Sequence, residues 1–170
     1  MREPLANSVY RDLGIPASES RLLRLDVNGE LWGVFAEAEQ PNKDFLKKWK
    51  LEDTQLFKAV SGSHRSDQRD LGSPRAYARD YQNETGEEDD FDSLHAFCHE
   101  LETSADKEAF FKEYVNLTQF TNYLCANAVL QHWDSFSKNH FIAKESTTNH
   151  WMIIPWDLDR TLGDHWYGGF

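Results

Sequence analysis

HWDSFSKNHFIAKESTTNHWMIIPWDLD, residues 132–159, is the stretch on which the fold turns. Phe141 to Lys144 and His150 to Ile154 read as short strands, and Glu145 to Asn149 between them is a polar turn. A hairpin built this way returns its two open ends to one place. Both ends are acidic. His132 to Asn139 leads into the first strand with Asp134 five positions before Asn139, and Pro155 to Asp159 leaves the second with Asp157 and Asp159.

An aspartate and an asparagine at that spacing, just before a strand, suit phosphoryl transfer. One carboxylate orients or deprotonates an attacking hydroxyl while an amide oxygen helps hold a divalent ion. In extended chain Asp157 and Asp159 point one way, and Trp156 and Leu158 face the core. Two carboxylates on one side suit Mg²⁺ or Mn²⁺, which complete their shells with phosphate oxygen and water. The structural alternative is that Asp157 caps a turn and Asp159 pairs with Arg160. The H-x-D-x4-N pattern is weak alone; it gains weight from the second acidic loop across the hairpin. Loop, strand, turn, strand, loop is also the order in which a protein kinase places its catalytic loop and its metal-binding aspartate.

Upstream, Leu5, Val9 and Leu13 have helical spacing, with Gly14 and Pro16 as the stop. Arg21 to Val27 alternates, Asn28-Gly29 supplies a tight hairpin turn, and Leu31 to Ala38 is the return strand. Pro41-Asn42 introduces a helix through Phe45, Leu46 and Trp49, and Leu56 to Val60 is a further strand. Ser61 to Pro74 reads as an exposed loop. Tyr77 with Tyr81, then Phe91 to Leu101, then Phe110 to Tyr114 read as helices, separated after Tyr81 by the solvated acidic run Glu84 to Asp92. Asn116 with Gln119 resembles a capping box that launches Leu117, Phe120, Tyr123, Leu124, Ala128 and Leu130 along a buried face.

A net charge of −11 argues against non-specific nucleic-acid binding, which needs a continuous basic surface. No apolar run approaches the roughly 20 residues that span a bilayer, so no transmembrane segment is expected, and Met1-Arg2-Glu3-Pro4 opens no signal-peptide pattern. Cys98 and Cys125 lie in apolar helical patterns and read as small buried thiols. His95 and His99 have the four-residue spacing of metal ligands but bring no obvious third ligand. His132 braces its loop against a backbone carbonyl or simply suits a helix C-terminus. His165 is placed near the phosphates or on the chain end, and Trp133, Trp156 and Trp166 pack around the acidic loops. No glycine-rich phosphate fingerprint is present in the sequence.

Pro155-Trp156-Asp157-Leu158-Asp159-Arg160-Thr161-Leu162-Gly163, with Asp134 and Asn139 upstream, resembles the CotH kinase family, the spore-coat protein H group of atypical protein kinases. The resemblance extends through Val27 to Glu30, Gly33 to Phe35, Glu39, Phe45-Leu46 and Leu56 to Lys58, from about residue 7 to 166. It implies an α+β, divergent protein-kinase-like fold, expected to be incomplete. Residues 1–60 would form strand-rich small-lobe elements and residues 75–170 a helical lobe. It also implies binding of ATP with Mg²⁺ or Mn²⁺ and transfer to serine or threonine of a coat or extracellular protein.

By position Asp134 matches the catalytic aspartate and Asn139 the polar residue on the metal side. Asp157 matches the metal-binding aspartate, with Asp159 sharing or exchanging the role. Lys58 and Glu39 match the charged pair of the smaller lobe that orients phosphates. Phe57, Leu162 and His140 depart from the family's usual Tyr, Phe and Tyr, and the chain is shorter than family members at both ends. Two other functions fit: a non-catalytic coat or surface interaction module that keeps the kinase-like core, and a metal-dependent phosphoesterase.

Overall fold

A computed structural model describes residues 1–60 and 65–163; His165, Trp166 and the first part of the Ser61 to Pro74 loop lie outside them. The chain is α+β. Helix α1 (Arg2–Asp12) stops at Gly14, whose φ of +73° suits glycine alone without strain. Its buried side is Ala6, Asn7 and Tyr10, whereas Leu5 and Leu13 are exposed. The predicted stripe is thus displaced, because the surface that α1 covers belongs to Tyr123, Ala126, Leu130 and Leu158. Strands β1 (Ser20–Val27) and β2 (Glu30–Ala38) pair around Asn28 and Gly29, both at positive φ as a two-residue hairpin turn requires. This ribbon leaves Trp32, Val34 and Phe35 exposed. Asn42 caps α2 (Lys43–Lys48), its Oδ1 accepting from the Asp44 and Phe45 amides.

The four-stranded sheet positions the site. It runs β4 (Tyr81–Asn83), β3 (Gln55–Ala59), β5 (His140–Lys144), β6 (Trp151–Pro155), antiparallel throughout. Alternation gives it two apolar faces. Phe57, Ala59, Ile142 and Trp151 pack beneath α3 (Pro74–Tyr77), α4 (Asp92–Thr103) and α5 (Lys107–Tyr114), with Phe97 stacked 4.6 Å from Trp151. Leu56, Phe141, Met152 and Ile154 pack against Phe45 and Leu46 of α2.

Three sequence expectations change. Tyr81 is not helical: α3 ends at Tyr77, the Val60 amide donates to the Asp80 carbonyl at 3.0 Å, and Tyr81 pairs with Ala59 as a strand. In α6 (Leu117–Leu130) the buried line is Gln119, Tyr123, Ala126, Asn127 and Leu130, while Leu117, Leu124 and Ala128 are exposed. That rotation also leaves Cys125 exposed, although Cys98 is buried as expected. Among the described residues no helix is long and apolar enough to cross a membrane.

The rotation of α6 has a polar cause. Asn116 Oδ1 accepts from the Gln119 amide at 3.1 Å, one half of the expected capping box. The Gln119 side chain does not return to Asn116; it grips the edge strand β6, donating to the Ile153 carbonyl and accepting from the Ile153 amide at 3.2 Å. The Asn116 amide adds a bond to the Trp151 carbonyl at 2.9 Å. These contacts cover main-chain groups that an edge strand leaves unpaired. Gln119→Ala should therefore lower unfolding free energy by about 2 kcal/mol, because two half-buried backbone groups lose their partners. Urea denaturation with an unchanged m-value is the check.

Candidate active site

The β5–β6 ladder holds the two acidic loops together. His140 pairs with Pro155, and one step beyond, the Trp156 amide donates to the Asn139 carbonyl at 3.1 Å. Each loop is thereby anchored on the other at its first residue past the hairpin. Asn139 and Asp157 both take left-handed backbone conformations, φ +57° and +56°. Asparagine and aspartate tolerate that region better than other non-glycine residues.

Helix α6 ends at Gln131, also left-handed, and Asp134 follows in a 3₁₀ turn, Trp133–Ser135. Asp134 is buried, and its Oδ2 receives both Asn139 Nδ2 and Lys138 Nζ at 3.0 Å. Both of these bonds fall on Oδ2 and neither on Oδ1. Lys138 was not singled out from the sequence, although its place four residues after Asp134 was a visible signal.

The second loop is not extended. The left-handed turn at Asp157 ends the strand at once, and Leu158–Arg160 forms a 3₁₀ turn. Leu158 is driven fully into the α1–α6 core, and the Leu162 amide closes on the Leu130 carbonyl at 2.6 Å. Asp157, the left-handed N-cap, and Asp159, inside the 3₁₀ turn, are thus not related by a strand period. Both residues are exposed at the surface, Asp159 3.9 Å from Arg160. The Asp157 carboxyl titrates above the ordinary aspartate range because surrounding protein withdraws water and Asp159 adds like charge. Asp134 adds to that rise, and Lys138 and Lys58 oppose it. Glu3, from the first turn of α1, is raised likewise by burial, Asp157 and Asp159. This acid comes from the far end of the chain, where spacing gave no sign of it.

Lys58 and Glu39 do not meet. Lys58 pairs with Phe141 in the sheet, and its ammonium lies 5.2 Å from the Trp156 ring centroid and 5.8 Å from that of Phe141, on the side of Asp157. Glu39 sits at the base of the ribbon, where it accepts from Lys48 Nζ and the Glu19 amide, each at 3.1 Å. No ion pair joins Glu39 to Lys58 among the described residues.

Two histidines brace the Asp134 and Asp157 loops from behind. His140 Nδ1 donates to the Lys138 carbonyl at 2.8 Å, so Nε2 accepts from Gln68 Nε2 at 2.8 Å. His132 is buried 3.4 Å from the Tyr10 hydroxyl, which donates to Asn127, and its ring faces the Asp157 main chain.

The sequence profile of the CotH kinase protein family matches residues 1–169, a span that takes in both loops and the hairpin between them. The chain belongs to this family. It is 25% identical over 173 aligned residues to the inner spore coat protein H of Bacillus subtilis (strain 168). That alignment covers 99% of this chain and 48% of the relative, so the chain spans about half the relative's length.

In this CotH-family chain His132 also ties the site to acid stability. Burial depresses its pKa from 6.5 to about 4, with His140 adding to the effect and Asp134 opposing it. The unfolded chain takes up the proton near pH 6.5 and the folded chain does not, so stability is full above that pH and is lost as pH falls toward 4. From about pH 7.5 to about pH 5 the loss through His132 is on the order of 2 kcal/mol. Asp157 and Glu3, with raised values, shift stability the opposite way over acid pH. The difference between wild type and His132→Gln isolates the histidine: chemical denaturation should show a smaller acid loss in the variant.

Proposed function

We propose that this CotH-family chain is a protein kinase that transfers the γ-phosphate of ATP, with Mg²⁺ or Mn²⁺, to serine or threonine of a coat or extracellular protein. The observation that carries the reading is the Asp134 carboxylate, fixed at Oδ2 by Lys138 and Asn139 and facing the Asp157 loop across the mouth of one hairpin. Phosphoryl transfer asks a protein mainly for positioning and charge. The acceptor hydroxyl oxygen attacks the γ-phosphorus, the bond to the β-phosphate oxygen breaks, and ADP leaves with the electron pair. Asp134 Oδ1 orients the hydroxyl and takes its proton.

The donors near Asp157 fit a hard divalent cation. Asp157, with Asp159, offers carboxylate oxygens, and Asn139, whose Nδ2 is spent on Asp134, has its amide oxygen left to offer. When bound, the ion supplies neutralisation of phosphate charge. Burial first, and then like charge, from Asp159 at Asp157 and from Asp157 and Asp159 at Glu3, raises both groups, and a cation that relieves the like charge supports the same assignment. Lys58 is placed to meet phosphate from the small-lobe side, and Glu39 acts apart from it through Lys48. Residues 1–60 stand for small-lobe elements and 75–170 for the helical lobe, although β3 and β5 share one sheet. The coat setting follows the name of the Bacillus subtilis relative.

Calorimetric titration with ATP tests the binding half of the proposal. Binding should require Mn²⁺ or Mg²⁺ and weaken at least about tenfold in Lys58→Met, the loss of one charge-assisted contact. Equal affinity with and without the ion would contradict it.

A further inference from the structure

We propose that Asp70, His95 and His99 form a site for a borderline divalent transition metal, with zinc as its representative, which pins the loop before α3 to helix α4. The site is separate from the Asp157 loop and does not depend on the kinase reading. His95, His99 and Glu102 recur on one face of α4, and the loop lays Asp70 against that face. Asp70 Oδ2 is 2.7 Å from His99 Nδ1, and Oδ1 is 3.6 Å from His95 Nε2. One ligand atom from each of the three residues falls within 4.8 Å of the others.

Tetrahedral zinc with ligands at about 2.0–2.1 Å sets its donor atoms roughly 3.3 Å apart. The His99 contact at Oδ2 and the His95 contact at Oδ1 bracket that spacing, so the carboxylate reaches a shared ion through both oxygens or turns to offer one. Asp70 is held for the purpose: its amide donates to Glu102 at 3.1 Å, and its Oδ1 accepts from the Gly72 amide at 2.7 Å. Zinc takes His99 through Nδ1, with the ring proton on Nε2. Water completes the shell.

Two imidazoles and one carboxylate favour zinc, cobalt or nickel over magnesium, in contrast to the all-oxygen donors beside Asp157. The consequence reaches the active site through the same loop. The Ser66 amide donates to the Ser137 carbonyl at 3.2 Å, and Gln68 holds His140 at 2.8 Å. Metal at Asp70 therefore stiffens the segment that backs the Lys138 turn.

Zinc competition against a chromogenic chelator, on the whole 170-residue chain, decides the matter, with the visible absorption of a cobalt-substituted sample as a report on geometry. Wild type should hold one equivalent in the micromolar range or tighter and gain thermal stability with zinc. His99→Gln, at an exposed position that leaves folding intact, and Asp70→Asn should each weaken binding at least about tenfold and lose the stability gain. Asp157→Asn should keep the zinc equivalent. Wild type holding no more zinc than His99→Gln would overturn the proposal, as would a zinc equivalent that disappears with Asp157→Asn.

Discussion

Asp134→Asn is expected to lower phosphoryl transfer by about a hundredfold to ten-thousandfold, the range that a positioned general base contributes, while nucleotide affinity changes little. Asparagine keeps the side chain's shape and, with its amide oxygen in the place of Oδ2, can still accept from Lys138. The fold around the 3₁₀ turn rests on other bonds, Ser135 Oγ to the His132 carbonyl at 2.8 Å and His140 to the Lys138 carbonyl. What asparagine cannot do is accept the hydroxyl proton or hold the acceptor through a full negative charge. A fall in kcat with KM for ATP within a few-fold of wild type is the signature. A comparable loss of ATP binding would mean that the substitution had collapsed the loop, and the assigned role would fail.

Asp157→Asn is expected to act with opposite signs on two readouts. Transfer should fall by about a hundredfold or more, as when one preorganised electrostatic group is removed from a transition state, and the dependence on Mn²⁺ should weaken. Stability without nucleotide should rise. The folded pKa of Asp157 lies above its unfolded value, so its ionised form costs stability at neutral pH, and that cost is relieved as pH falls through the raised value. Asparagine removes the charge and still tolerates the left-handed backbone at this position. The gain in Tm should therefore be largest near neutral pH and shrink in acid. A functional site that holds a partly desolvated carboxylate beside like charge, for a ligand to relieve, behaves in this way. A capping aspartate would show the reverse, a loss of stability and no effect on transfer.

Local signals carried much of the fold. The hairpin from His140 to Pro155 was readable because short extended runs flank a turn segment, and Asn28-Gly29 announced the first ribbon. Elements made by tertiary contact were not readable. Tyr81-Gln82-Asn83 is a strand only because β3 offers it an edge, and the buried line of α6 is set by Gln119 gripping Ile153 rather than by its leucines. At the candidate site, Asp134, Asn139 and Asp157 could be found from order along the chain. Asp159 could be found as well, but not its 3₁₀ setting, because the left-handed turn at Asp157 ends the strand. Glu3 joins them from the opposite terminus, and Asp70 completes the His95–His99 pair from a separate loop. Such partners appear only when distant segments meet.

In the proposed reaction the two acidic loops work together on ATP and a protein hydroxyl. Its most direct test is transfer of labelled γ-phosphate from ATP with Mn²⁺ to a casein-like or coat-like protein, run side by side with wild type, Asp134→Asn and Asp157→Asn. The account predicts labelled serine or threonine with wild type and almost none with either variant. Equal labelling by all three, or release of inorganic phosphate with no labelled protein, would contradict it.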